Sequence, residues 1–206
     1  MDILMKNILT VVLALAISGV MAQNSQEVIS AFDESYTLEI DGKYSEAIKE
    51  LKNIYNPASY HINLRLGWLC YLSGQFTESS AYYQKAIELK PYAIEARFGL
   101  TYPASSTGNW AQVKEQYIKI LEVDPQNTRA NYYFGLMHYE VGDFDLAANH
   151  FEKVVNLYPF DMESVRMFAW ANFQLGKTRK AEVLFNEVLL IDPDNESALE
   201  GLDLIK

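Results

Sequence analysis

Few side chains in this sequence of 206 residues could do covalent or metal chemistry: three histidines, one cysteine and the pair Ser105-Ser106. His61, His138 and His150 never stand four apart, so no helix would offer two imidazoles to one ion. The single cysteine excludes an internal disulfide and a zinc site built from cysteines. Cys70 falls on the inner face of a helix, where it acts as a small hydrophobe. No base is implied beside Ser105-Ser106, and Gly99 and Gly108 lie too far apart for a phosphate loop. No enzymatic activity, metal or cofactor is therefore expected. Asn195-Glu196-Ser197 fits a glycosylation acceptor, which matters only in a eukaryotic secretory host. What remains is ring chemistry. Fourteen tyrosines, ten phenylalanines and three tryptophans make the chain 13% aromatic. Tyr and Trp offer large contact area with little rotamer entropy to lose.

Half of the chain is apolar and 21% charged, the composition of a folded domain. The formal net charge of -10 excludes the Lys/Arg surface that phosphate recognition wants, so no nucleic-acid partner is expected. Lys6 precedes the apolar run Ile8 to Val20, which is too short to span a bilayer, and Val20-Met21-Ala22 suits a peptidase cut. Residues 1–22 read as a signal peptide with Gln23 as the mature N-terminus; an uncleaved anchor helix is the alternative. Either reading sends the protein out of the cytoplasm, to the periplasm or beyond. Residues 23–27 read as a short tail.

The elements that must position the rings repeat along the chain. Pro91, Pro125, Pro159 and Pro193 are each 34 residues apart, and so are Gly74, Gly108, Gly142 and Gly176. Phe76, Trp110 and Phe144 follow three of these glycines by two. Tyr83, Tyr117, Phe151 and Phe185 recur at nine past the glycine. One period reads as a helical hairpin. Ala130, Phe134, Gly135 and His138 share a face of a first helix, and Gly142 ends it as a left-handed cap. Phe144, Ala147, Phe151 and Val154 form the stripe of a second helix, which Pro159 stops. Asp161 then caps the next helix. Gly135 and Ala147 are where the two helices can approach most closely.

These markers resemble the tetratricopeptide repeat family. The clearest copy is Leu66-Gly67, Gly74-Gln75-Phe76, Tyr83, Ala86 and Pro91. Phe134-Gly135 to Pro159 is an equal match, Phe168-Ala169 to Pro193 a good one, and Leu100 to Pro125 a weaker one, with Val113 where a small residue is usual. Ser35, Gly42-Lys43-Tyr44, Ala47 and Leu51 make a further copy with a shorter exit, Gly42 to Gly74 being 32 residues. The resemblance implies an all-α fold: an α-solenoid of five helix-turn-helix repeats (28–59, 60–93, 94–127, 128–161, 162–193) with a capping helix at 194–206, apolar at Leu199, Leu202 and Ile205. Hairpins of this size bury a core only by stacking on their neighbours.

In this family ligands usually lie against the first helices, at positions five, nine and twelve of each repeat. Those positions hold aromatic side chains in ten of fifteen cases here. Tyr36, Trp68, Tyr102 and Trp170, at a position usually small or polar, are the leading contact candidates. Phe98, Tyr132, Tyr71, Tyr139 and Phe173 join them, although rings at positions five and twelve also serve to pack neighbouring helices. The Lys and Asn with which a subgroup grips a terminal carboxylate are absent. Arg65, Arg129 and Arg166 are the cations nearest the groove. Pro103 falls inside a first helix, where a bend is expected. The function that follows is a non-enzymatic scaffold or adaptor for a protein or peptide partner, as a monomer. Carbohydrate or peptidoglycan binding by the same rings is the alternative.

Overall fold

The computed structural model describes residues 25–206, all of them helices and short turns. The expected signal peptide and its cut lie outside the described residues. The chain divides at Thr107/Gly108 into two compact units, inside the turn of the third repeat. Each unit is a segment of α-solenoid.

The first unit holds α1 (residues 25–40), α2 (Tyr44–Asn53), α3 (Tyr60–Leu72), α4 (Phe76–Leu89) and α5 (Ile94–Ser106). Helix α1 is already formed at residue 25, so the expected 23–27 tail is helical at its end. The shorter exit of the first repeat is visible in α2, which has 10 residues against 14 in α4. Each first helix ends as the glycine spacing requires. At Gly74 φ is +76°, its N–H bonds the Tyr71 carbonyl at 3.0 Å, and the Gln75 N–H reaches back to Cys70 at 2.8 Å. Only a residue without Cβ adopts this conformation at no cost.

The unit's core is Leu38, Ala47, Leu51, Leu66, Leu69 and Cys70 on one side and Tyr83, Ala86, Ala96 and Leu100 on the other. The Tyr83 ring lies between α3 and α5. A Cβ at Gly67 would stand 2.9 Å from that ring, and one at Gly99 only 2.1 Å from it. Ser79, at the small-residue position of α4, donates its hydroxyl to the Gly67 carbonyl at 2.7 Å. Glycine and serine here are space reservations for a ring and a helix crossing. Pro103 is buried inside α5, which continues to Ser106, and the Thr107 N–H and hydroxyl both bond the Pro103 carbonyl.

The second unit holds α6 (Trp110–Val123), α7 (Thr128–Glu140), α8 (Phe144–Leu157), α9 (Met162–Gln174), α10 (Thr178–Ile191) and α11 (Glu196–Ile205). Side-chain caps set its first helices: the Asp161 carboxylate accepts from the Ser164 N–H at 2.9 Å, and the Asn127 carbonyl oxygen from Ala130 at 3.0 Å. Phe151, Val165, Phe168, Phe185 and Val188 fill the core. Gly135 makes room for the Phe151 ring, which a Cβ would approach to 2.8 Å. Gly201 of α11 does the same for Phe185 at 2.3 Å. Helix α11 therefore seals the last hairpin. Leu202 and Ile205 pack on the core, whereas Leu199, expected with them, is 48% exposed.

Candidate interaction surface

Two first helices of the first unit bring three of the aromatic candidates together. Trp68 and Tyr71 project from α3 and Tyr102 from α5. Tyr71 stacks on Tyr102 with centroids 5.2 Å apart, and Trp68 stands 5.7 Å from each of them. Phe76 closes the group at 6.0 Å from Tyr71. All three candidate rings are partly exposed. Such ring contacts add to area burial and hold each plane in place.

A polar network fastens this cluster to α1. The Trp68 indole N–H donates to Glu39 Oε1 at 2.7 Å, and the other oxygen of that carboxylate accepts from Arg65. Arg65 gives two further donors to Ser35: Nε to the hydroxyl at 3.1 Å and Nη2 to the carbonyl at 3.0 Å. Its guanidinium lies 3.8 Å from the centroid of the Tyr36 ring. Arg65 is 7% exposed, and its charge is compensated by the Glu39 ion pair, two hydrogen bonds to Ser35 and a ring face. The cation that looked available for an acidic ligand is thus consumed inside the fold. Arg166 is likewise paired, with Glu163.

Phe98 is 9% exposed and belongs to the packing of α5, so it leaves the set of contact candidates. Tyr36 is 52% exposed and presents the ring face that Arg65 does not cover.

In the second unit Tyr132, Tyr139, Trp170 and Phe173 all pack partly buried against the core. Burial pushes the Tyr132 and Tyr139 phenols above their ordinary range. Trp170 meets Phe185 at 5.0 Å and Phe173 at 5.6 Å, and its indole N–H donates to Ser197 Oγ at 2.8 Å. That tryptophan anchors α11, a role its spacing did not reveal. A cleft of about 410 Å³ opens beside Tyr132, lined by Thr128, Arg129, Tyr133, Val154, Asp161, Glu163 and Ser164.

The remaining reactive groups are placed structurally. Cys70 is fully buried and its thiol is pushed up to about 11 by desolvation. His138 and His150 stack face to face, 5.6 Å apart, against Phe134. Sequence spacing missed this pair because the rings come from two helices. Asn131 donates its amide to the Pro125 and Asn127 carbonyls, which leaves its oxygen to accept the His150 Nδ1–H at 2.9 Å. Among the described residues no group of three or more His, Cys, Asp or Glu side chains could hold a metal ion. Asn195 caps α11 through Ala198 at 3.1 Å and donates to Asp192, so the side chain of the Asn195-Glu196-Ser197 motif is engaged within the fold.

Comparison with known proteins gives one answer. Tetratricopeptide repeat profiles match residues 60–92, 104–161 and 134–198. The chain is 32% identical over 119 residues to peptidyl-prolyl cis-trans isomerase FKBP4 of Bos taurus, covering 58% of this chain and 22% of that protein. It is 24% identical over 132 residues to the CTR9 homolog of Arabidopsis thaliana, covering 64% of this chain and 12% of that protein. The chain thus spans about a fifth or less of the length of these relatives. Among solved structures, a tetratricopeptide repeat protein from Parabacteroides merdae aligns with a TM-score of 0.74 at 19% identity, over 87% of this chain and 72% of that one. YrrB, a repeat protein described as having an unusual peptide-binding site, aligns at 0.66 and 21% identity, over 79% of this chain and 81% of its own.

Proposed function

The chain belongs to the tetratricopeptide repeat family, and we propose that it is a non-enzymatic scaffold that holds a segment of a partner protein on the aromatic face of its first helices, outside the cytoplasm. The observation that carries this reading is the Trp68–Tyr71–Tyr102 cluster with the exposed Tyr36 beside it. Rings held by one another and by the part-buried Arg65–Glu39 pair are pre-organised, so a ligand meets them with little further ordering cost. Large aromatic side chains that stay partly exposed although the fold could bury them are the usual anchors of a binding surface. The peptide site described for YrrB supports a peptide ligand. Export rests on residues 1–22 alone: a charged start, a 13-residue apolar run and a small-residue cut site.

The test is affinity recovery from the native organism, comparing the full chain with a Tyr36→Ala/Tyr102→Ala variant shown by circular dichroism to stay helical. A protein recovered by the native chain and lost by the variant supports the reading. Equal recovery by both places the partner on another face, and retention on cell-wall polysaccharide in place of protein favours the carbohydrate alternative. Secretion is read separately, by sequencing the N-terminus of the mature protein.

A further inference from the structure

We propose that the aromatic face of the first unit selects a partner segment carrying a lysine or arginine, whose aliphatic stem lies on the rings and whose charge faces α1. This rests on the interaction-surface reading above and specifies its ligand.

The charges on this face are not equally available. Its one buried cation, Arg65, is 7% exposed and has Nε, Nη1 and Nη2 occupied by Ser35 and Glu39. It is buried, and its charge is already paired with Glu39. Glu39 is different. Its side chain is 23% exposed, and a carboxylate offers about four acceptor sites, of which Trp68 and Arg65 take one each. A further donor can be accepted without breaking either bond. Helix α1 carries Glu27, Asp33, Glu34 and Glu39 and contains no lysine or arginine. Asp33 and Glu39 stand three residues either side of Tyr36, so both share its stripe of the helix.

The apolar half of the surface fits the same ligand. Ile29, Tyr36 and Ile40 are 60%, 52% and 87% exposed and recur at helical spacing along α1 with Asp33 among them. The Ile40 end of this stripe lies beside Glu39, which holds Trp68, whereas Ile29 lines a separate cleft with Ile54 and Ile62. Rings 5.2 to 5.7 Å apart leave no slot for an inserted ring, so Trp68, Tyr71 and Tyr102 offer only edges and outer faces. Outer π faces are negative and attract cations. An alkyl stem ending in a positive charge satisfies the rings and the Asp33 and Glu39 carboxylates together. A carboxylate-bearing segment would meet like charge at each point.

The test uses three capped tetrapeptides, acetyl-Leu-X-Leu-Leu-amide, with X as lysine, norleucine or glutamate. Each is titrated into the full chain while the Trp68 indole N–H resonance, assigned with Trp68→Phe, is followed by NMR. The lysine peptide is expected to shift that resonance saturably, with a Kd roughly fivefold or more below the norleucine peptide's, and the glutamate peptide to bind weakest. Added salt should narrow the gap, because the carboxylates are reachable by solvent. In Asp33→Asn, whose side chain plays no part in the Arg65 network, the preference for lysine should shrink; Glu39→Gln should shrink it further. If norleucine or glutamate binds as tightly as lysine, the charge selection is wrong while the aromatic surface stands. If no peptide moves the Trp68 signal, both readings fall.

Discussion

Gly99→Ala tests the packing that positions the aromatic face. The new Cβ would stand 2.1 Å from Tyr83 Cε1, where ordinary contact needs about 3.5 Å or more, so ring or helix must yield by more than about 1 Å. The Tyr83 ring has little room: it is 2% exposed, and even a Cβ added at Gly67 would stand 2.9 Å from it. Overpacking of this kind costs typically ~1–3 kcal/mol, and the severity of the clash puts Gly99 at the upper end. Against it stands the helix preference for alanine over glycine, ~1 kcal/mol. The net expectation is a loss of about 2 kcal/mol. At Gly67 the required shift is only about half an ångström, so Gly67→Ala should lie within ~1 kcal/mol of the native protein. Urea unfolding followed by circular dichroism measures both, with hydrogen exchange in α3 to α5 localising the effect. Because α5 must move to relieve the clash, Tyr102 should also part from Trp68 and Tyr71, and ligand affinity should fall with stability. If Gly99→Ala proves neutral or stabilising, or if Gly67→Ala is the more damaging, Tyr83 is not clamped as described.

Three further outcomes follow from single sites. Burial and the neighbouring Lys153 and His138 lower the His150 imidazole from 6.5 to about 4, so the folded protein keeps it neutral while the unfolded chain protonates first. The stability it protects is present above pH 6.5 and lost as pH falls towards 4; allowing for partial solvent screening, about 1–2 kcal/mol should disappear across that window. This slope should flatten in His150→Gln when unfolding is measured by denaturant at each pH. Cys70, buried with its thiol held up near 11, should ignore a thiol reagent at pH 8 until the chain unfolds, which timed labelling would show. Asn195→Ala should cost α11 about 1 kcal/mol through loss of its cap and raise exchange in that helix, with the first unit unchanged.

The repeat was legible because its markers are local. A glycine whose φ must be positive, and a proline that cannot continue a helix, act within a few residues of themselves, so their 34-residue recurrence carried helix ends and hairpins into view. Cap Asp161 and the buried Cys70 were readable for the same reason. The site was legible only as a list of rings. Trp68 and Glu39 meet across 29 residues, and Arg65 and Ser35 across 30, through side-chain reach between successive repeats that no periodicity encodes. The same limit hid the His138–His150 stack and the bond from Trp170 to Ser197. Phe98 and Tyr102 sit one helical turn apart on α5 and carry similar chemistry, yet one is core and the other platform. Their division depends on what packs over each, which spacing leaves open.

The most direct test of the central claim is site-specific photo-crosslinking in the native organism, with benzoyl-phenylalanine placed in turn at Tyr36, at Ile40 and, on the second helix of the same repeat, at Glu50. Tyr36 and Ile40 are exposed, and Glu50 is partly exposed and outside the Ala47, Ile48 and Leu51 face that α2 buries. One partner protein should be captured from Tyr36 and Ile40 and not from Glu50. Capture from Glu50 alone would contradict that claim.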